Sequence, residues 1–314
     1  MNGSPINAST RYCGLFGCPV RHSASPAFQN AGIAAMGLNW RYLALEVLPE
    51  NLSRAIEGAK AMGFVGLNLT VPHKEQAFRL ADEVEDSARM LGSVNTLKFE
   101  GLTAEGAWLP VRDWGQETPQ QIRSVGYNTD AEAIIRALKE DLQFNPEGKK
   151  ILILGAGGAG RVAALRLAAE SAAKLFLVNR TLSKAQSLSR EIETHAPNVR
   201  VRIGYPPETQ PVDLVLNSTS LGLKESDPLP WDDQQFCLKR AARAFDMIYR
   251  PACTPFLQAA KDAGCRVANG LSMLLYQGVT SLKLWSGAEP PVETMRTALK
   301  EHIYSPSGTD SPHE

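Results

Sequence analysis

Ile151-Leu-Ile-Leu-Gly155-Ala-Gly157-Gly158-Ala-Gly160-Arg161 is a continuous apolar run that breaks into G-x-G-x-x-G and continues as an alanine-rich amphipathic stretch. This pattern predicts a buried parallel strand, a tight turn and a helix, the arrangement that holds a dinucleotide pyrophosphate. Gly155 and Gly157 permit the turn and let backbone approach phosphate. Gly160 lets the helix pack closely on the strand and point its first N–H groups at the anion. Gly155, Ala156, Gly157, Gly158, Ala159 and Gly160 are therefore the candidate cofactor cradle. The same glycines also fit a tight turn with no ligand. What favours the cradle is a second candidate strand, Lys174–Val178, at the right distance downstream.

That second strand ends in Asn179-Arg180-Thr181. An NAD site usually carries an acid here, to accept from the ribose 2′-hydroxyl. An arginine instead pairs bidentately with a 2′-phosphate, and Thr181 and Lys184 add a hydroxyl and a second cation. The chain thus leans toward NADP. The plainer alternative is a solvated Arg180 beside a Thr181 that caps the next helix.

The 314 residues suit two domains of ordinary size, and 33 basic residues balance 33 acidic ones. Scattered, balanced charge gives no footprint for nucleic acid or an anionic membrane. No apolar run is long enough to span a bilayer, and Met1-Asn-Gly-Ser-Pro lacks the regions of a signal peptide, so a cytoplasmic protein is expected. Five cysteines, with no C-x-x-C and no partnering histidine spacing, predict reduced packing residues and no metal site. The first dozen residues and Ser305–Glu314 are polar and read as frayed tails.

Strand candidates Arg11–Cys18, Arg41–Leu48, Phe64–Val71 and Val94–Phe99 alternate with helical ones at Ala27–Met36, Glu50–Ala61 and Lys74–Leu80. A second series follows, with strands near 150–154, 174–178, 199–203, 212–217, 243–247 and 265–269, the count of a doubly wound dinucleotide-binding sheet. The fold class is α/β. Residues 1–129 form one α/β domain, 130–271 a Rossmann domain, and the helical stretches within 272–314 pack back on the first. Gly101–Ser124, with two tryptophans and two prolines, is long for a connection and reads as a lid or an ornate loop.

Three further segments could carry chemistry. In Asn68-Leu-Thr70-Val-Pro72-His-Lys74, Pro72 sits where a helix could begin, which puts Lys74 in a first turn. A cation there opposes the helix dipole and calls for a carboxylate nearby. Asn128-Thr129-Asp130 opens a helical run, and Thr129 with Glu132 also fits a capping box. Ser23-Ala-Ser25-Pro26 likewise fits a helix start, with Ser25 as cap and Pro26 at the first position.

From the Arg11 strand nearly to its end the chain resembles shikimate dehydrogenase. The resemblance rests on an ordered series: Gly17-Cys-Pro19-Val-Arg-His22-Ser23-Ala-Ser25-Pro26, Asn68-Leu-Thr70-Val-Pro72-His-Lys74, Val94-Asn95-Thr96, Asn128-Thr129-Asp130 and the glycine loop. Asn179-Arg180-Thr181, Asn217-Ser-Thr219-Ser, Asp246-Met247-Ile-Tyr249 and Gly270-Leu-Ser-Met273-Leu-Leu-Tyr-Gln277 complete it. It implies NADP-dependent reduction of 3-dehydroshikimate to shikimate in aromatic amino-acid biosynthesis, in a cleft between two domains, by a monomer or homodimer.

The same resemblance implies that Ser23 and Ser25 bind the substrate carboxylate with Tyr249 nearby. Thr70, Asn95, Asp130 and Gln277 would hold ring hydroxyls, and Lys74 with Asp130 would form the catalytic pair. Thr219, Met247, Gly270 and Met273 would join the glycine loop, Asn179, Arg180, Thr181 and Lys184 around the cofactor. These residue types suit the chemistry, since a polyhydroxylated carboxylate needs short hydroxyl and amide donors and a ketone oxygen needs a positioned proton donor. His22 and His73 flank the motifs, but the resemblance gives neither an essential role.

Two features depart from the family pattern: Gly101–Ser124 exceeds its usual short connection, and Lys184 stands where NADP-preferring members often have arginine. Rival readings are a quinate/shikimate dehydrogenase, disfavoured because no acid replaces Arg180, and a non-catalytic NADP sensor, which needs neither Lys74 nor Asp130. Phosphate hydrolysis fails for want of Lys-Ser/Thr after Gly160.

Overall fold

A computed structural model describes residues 5–305 except 116, 118 and 225. Of the expected tails, residues 1–4 and 306–314 lie outside the described residues. Asn7–Thr10, also expected to fray, are instead tied down. The Asn7 N–H donates to Thr10 Oγ1 (2.9 Å), and that hydroxyl donates to Asn39 Oδ1 (2.9 Å). The chain divides into two compact units, one running to Thr129 and resuming at Gln277, the other Asp130–Tyr276.

The first unit carries β1 (Arg11–Gly17), α1 (Ser25–Ala35), β2 (Trp40–Glu46), α2 (Leu52–Ala61), β3 (Gly66–Leu69), α3 (Lys74–Leu80), β4 (Glu83–Val84), α4 (Asp86–Leu91), β5 (Thr96–Leu102), β6 (Trp108–Pro110) and β7 (Ile122–Tyr127). Its sheet runs β2-β1-β3-β5-β7-β4, with β6 paired to β5. β5 is antiparallel to β3 and β7, whereas β1 is parallel to β2 and β3. Phe16, Leu67, Leu69, Leu97 and Phe99 form a core with Leu52 and Ile56 of α2.

The sequence reading counted fewer strands here because β4, β6 and the start of β7 are short or polar. Gly101–Ser124 is not a loop throughout. β5 continues to Leu102, the chain returns as β6 with Glu100 opposite Pro110, and β7 pairs with β5 again from Ile122. Two arginines brace this segment. The Arg11 guanidinium donates to Val111 O and Gly115 O (both 2.6 Å), and Arg112 Nη1 donates to Trp285 O (2.8 Å).

The second unit carries α5 (Asp130–Leu142), β8 (Lys150–Leu154), α6 (Gly158–Ala169), β9 (Lys174–Val178), α7 (Leu182–His195), β10 (Arg200–Ile203), β11 (Leu214–Asn217), β12 (Arg243–Asp246), α8 (Pro255–Asp262) and β13 (Arg266–Asn269). Its six strands are all parallel in the order β10-β9-β8-β11-β12-β13, the doubly wound order in which ligands bind at the carboxyl ends of the strands. Strands β8 and β11 are buried over nearly their whole length, as a sheet covered on both faces requires.

α9 (Leu271–Ser286) leaves the second unit and ends in the first, followed by α10 (Val292–Tyr304). Both pack on the first unit: a Cβ at Gly32 of α1 would meet Met295 of α10 and Leu282 of α9, and Trp285 Nε1 donates to Leu97 O (2.9 Å). Among the described residues no helix is long and apolar enough to cross a membrane.

Gly66 marks the tightest point of that packing, since a Cβ there would fall 2.1 Å from Trp285 Nε1 and 2.4 Å from Leu97 O. Gly66→Ala therefore overpacks the seam and lowers stability by about 3 kcal/mol, read as a shifted urea midpoint. An unshifted midpoint would show that Trp285 yields freely.

Candidate active site

In the first unit, the motif residues sit where strand ends run into loops. β1 ends at Gly17, where a Cβ would lie 2.4 Å from Thr70 Cγ2, so glycine there admits Thr70 beside it. Thr70 N donates to Phe16 O (3.0 Å). Ser25 was expected to cap α1, but the cap position is Ala24 and carries no side-chain cap bond. The Ser23 hydroxyl instead accepts from Ser25 N (3.2 Å), drawing the two serines together. Ser25 is buried, with its hydroxyl in hydrogen-bonding reach of Tyr42.

Pro72 precedes α3 rather than starting it, and Lys74 is the first helical residue behind His73. Val94 N donates to Lys74 O (3.0 Å), which holds the lysine backbone beside Asn95. Lys74 is partly buried. His73 is wholly buried with Nε2 2.8 Å from Val47 O, and burial lowers its pKa, so it stays neutral and structural. His22 is exposed.

Asn95 is 2 % exposed and lies in a buried polar network that sequence reasoning left out. Its Oδ1 accepts from the Thr129 N–H (2.8 Å), and its Nδ2 donates to Thr129 Oγ1 (3.0 Å). The Thr129 hydroxyl bonds Asn95, with Thr96 and Ser281 close by. Asn68 joins this network to Tyr42, whose hydroxyl donates to Asn68 Oδ1 (2.8 Å). Burial holds the Tyr42 phenol well above its ordinary range, so it remains a donor. Gln277, on α9, is partly exposed, and its carbonyl accepts from the Ser281 hydroxyl (2.9 Å).

The second unit holds Asp130 at the first position of α5, partly buried, and Tyr249 just beyond β12, whose phenol burial pushes up. The glycine turn follows β8. Gly155 has φ +106°, its N–H donates to Val178 O (2.8 Å), and a Cβ at Gly160 would lie 2.4 Å from Gly155 O. Gly157, Gly158 and Ala159 are exposed, and a Cβ at either glycine would meet open space. This is a cradle with room for an anion at the N-terminus of α6. Asn179 clamps it: Oδ1 accepts from Ala156 N (2.9 Å) and Nδ2 donates to Thr181 O (2.8 Å). Arg180, Thr181 and Lys184 lie exposed at the β9 tip. Thr181 occupies the cap position of α7 without a side-chain cap bond.

Thr219, Met247 and Gly270 follow β11, β12 and β13 at the same end of the sheet. A Cβ at Gly270 would fall 2.0 Å from Met247 O, so glycine is what lets these two chains meet. Met273, in the first turn of α9, is partly exposed. Holding the loops is a buried pair that sequence reasoning quoted but gave no role. Asp246 accepts from Asn217 Nδ2 (3.0 Å), Ile248 N (3.0 Å) and Thr254 Oγ1 (2.6 Å), while Asn217 Oδ1 accepts from the N–H and hydroxyl of Thr219. Among the described residues no group of His, Cys, Asp and Glu could hold a metal ion.

A six-stranded doubly wound sheet with an open glycine turn, joined to a unit lined with hydroxyl and amide groups, defines a dinucleotide-binding protein with a separate small-molecule domain. Family models describe both parts. The shikimate dehydrogenase substrate binding domain matches residues 15–97, shikimate / quinate 5-dehydrogenase matches 137–221, and the shikimate 5'-dehydrogenase C-terminal domain matches 270–300. A shikimate dehydrogenase (NADP(+)) of Methanopyrus kandleri is 38 % identical over 306 residues, 95 % of this chain and 98 % of the relative. A crystal structure of shikimate dehydrogenase in complex with NADP+ superposes with TM-score 0.81 at 35 % identity, covering 96 % of this chain and 98 % of that one. Quinate dehydrogenase from Corynebacterium glutamicum in complex with NAD has TM-score 0.76 at 28 % identity, covering 92 % and 98 %. The chain belongs to the shikimate dehydrogenase family.

Burial pushes the Asp246 carboxyl up to about 6 against the three donors that pull it down. Its folded pKa lies above the unfolded one, so the stabilisation is complete below about pH 4 and is lost as pH rises through about 6. Asp246→Asn, whose amide can face Thr254 Oγ1, should abolish a loss on the order of 3 kcal/mol between those limits. Denaturant melts of both proteins across this range check it; parallel profiles would count against it.

Proposed function

We propose that this protein catalyses the reversible NADP-dependent reduction of 3-dehydroshikimate to shikimate, in aromatic amino-acid biosynthesis. The near full-length match to enzymes named shikimate dehydrogenase (NADP(+)) carries this reading. Arg180 at the β9 tip, where an NAD site would place an acid, supports the choice of cofactor. The cradle residues fit a dinucleotide: Gly155–Gly160 take the pyrophosphate, and Arg180, Thr181 and Lys184 take the 2′-phosphate, with Asn179 holding the turn. Thr219, Met247, Gly270 and Met273 would hold its nicotinamide end. When bound, the cofactor supplies the hydride that the ketone carbon accepts.

The chain's own residues do the rest. Ser23 and Ser25, with Tyr249, bind the carboxylate, and Thr70, Asn95, Asp130 and Gln277 bind ring hydroxyls. The Lys74 ammonium gives its proton to the ketone oxygen as that oxygen becomes a hydroxyl, and Asp130 orients the lysine. Oxidation of shikimate runs the same step backward, the proton returning to Lys74. In this reading the enzyme is cytoplasmic and works as a monomer or homodimer.

Following NADPH oxidation with 3-dehydroshikimate, then with NADH, and in reverse with shikimate and quinate, tests the reading. Turnover of quinate with NAD alone would favour the quinate relative, and no turnover a sensor. Lys74→Ala should lower kcat by about 100-fold or more while NADP binding holds. Arg180→Ala should weaken NADP by roughly 10- to 100-fold and leave NAD nearly unchanged; equal weakening of both would remove Arg180 from the phosphate site.

A further inference from the structure

The network around Asn68 has a direction, and groups that can act in only one sense fix it. The Asn95 carbonyl only accepts and lies 3.2 Å from one terminal atom of the Asn68 side chain, so that atom is Nδ2. Asn68 Oδ1 then faces Tyr42, and the phenol must donate to it. Asn68 Nδ2 also reaches Ser281 Oγ (2.8 Å) and Thr96 Oγ1 (2.9 Å). Ser281 passes its own proton to the Gln277 carbonyl. The Thr96 hydroxyl lies 3.2 Å from Asn95 Oδ1. That oxygen is held a second time by the Thr129 backbone N–H, which can only donate, so the Asn95 amide cannot flip. Its Nδ2 keeps one proton beyond the bond to Thr129 Oγ1.

We propose that Asn68 is a positioning residue for substrate recognition. Through Asn95 O and Thr96 Oγ1 it holds in place the Asn95 side chain that the Thr129 N–H has fixed as a hydrogen-bond donor toward the substrate, and through Ser281 it sets the height of α9 at Gln277. Asn68 is 4 % exposed, and both ends of its amide are engaged within the protein. The consequence is selectivity: Asn95 demands an oxygen lone pair, and a ring carbon lacking its hydroxyl leaves the N–H unpaired. This inference rests on Asn95 and Gln277 being substrate residues, as proposed above.

Calorimetric binding of shikimate to the full-length protein, without cofactor, tests it alongside analogues lacking one of the unreactive ring hydroxyls. Asn68→Asp keeps size and Oδ1 but replaces the donor with an acceptor. Its shikimate Kd should rise about 10-fold or more, with discrimination against one deoxy analogue falling toward unity and NADP Kd unchanged. Should Asn68→Asp fail to fold, Thr96→Val breaks the same link with shape conserved, and Thr96→Ser restores it. Equal weakening of shikimate and NADP would mark a merely structural role and overturn the proposal. So would wild-type shikimate binding by Asn68→Asp and Thr96→Val while Asn95→Ala binds weakly. If Asn95→Ala itself binds shikimate normally, the site reading fails first and the proposal with it.

Discussion

A side-chain amide taken out of water must find partners for both its ends, because each unpaired buried group costs about 1–3 kcal/mol. Each unit is organised around one such amide. Asn68 lies mid-sheet on β3, and Asn217 lies at the end of β11, both nearly or wholly inaccessible. The partners they demand come from other elements: Tyr42 of β2, Thr96 of β5 and Ser281 of α9 for the first, Asp246 of β12 and the Thr219 loop for the second. Satisfying the amide therefore aligns the strands and aims the loops at once. The recognition groups stand on these loops, so polar satisfaction and site geometry share a cause.

Close backbone approach is the second constraint. Gly160 and Gly270 stand where any Cβ would lie within 2.4 Å of a carbonyl oxygen, at Gly155 and Met247 respectively. Removing a side chain at these two points brings helix against turn and strand end against strand end. Polar anchoring then acts over short distances: Asn179 spans from Ala156 to Thr181 with one side chain.

The second unit was legible in the sequence almost strand by strand, because parallel strands covered on both faces read as unbroken apolar runs and the glycine turn marks the register. The first was less so. β4 has two residues and β6 three, too few for any period to show, and Trp108–Pro110 carries a proline that argues against a strand until β5 is seen beside it. Ser25 and Thr129 illustrate a different gap. Both sit at helix starts where local rules assign a cap, yet their polar atoms face long-range partners, Tyr42 and Asn95, that no local window contains. Asn68, Asp246 and Asn217 stood inside quoted motifs. The one available signal was a polar residue within an otherwise apolar strand, and reading it requires knowing which strands are neighbours.

The two-arginine brace of the segment after β5 decides how far that segment can be shortened. Arg112 closes the carboxyl end of α9 by bonding Leu284 O and Trp285 O, where a cation also complements the helix dipole. Because this segment supplies the capping, trimming it back would expose the end of the helix that carries Gln277 and Ser281. The segment is thereby part of the support of that helix: its tip can change length, but the stem that carries Arg112 cannot be removed without uncapping it.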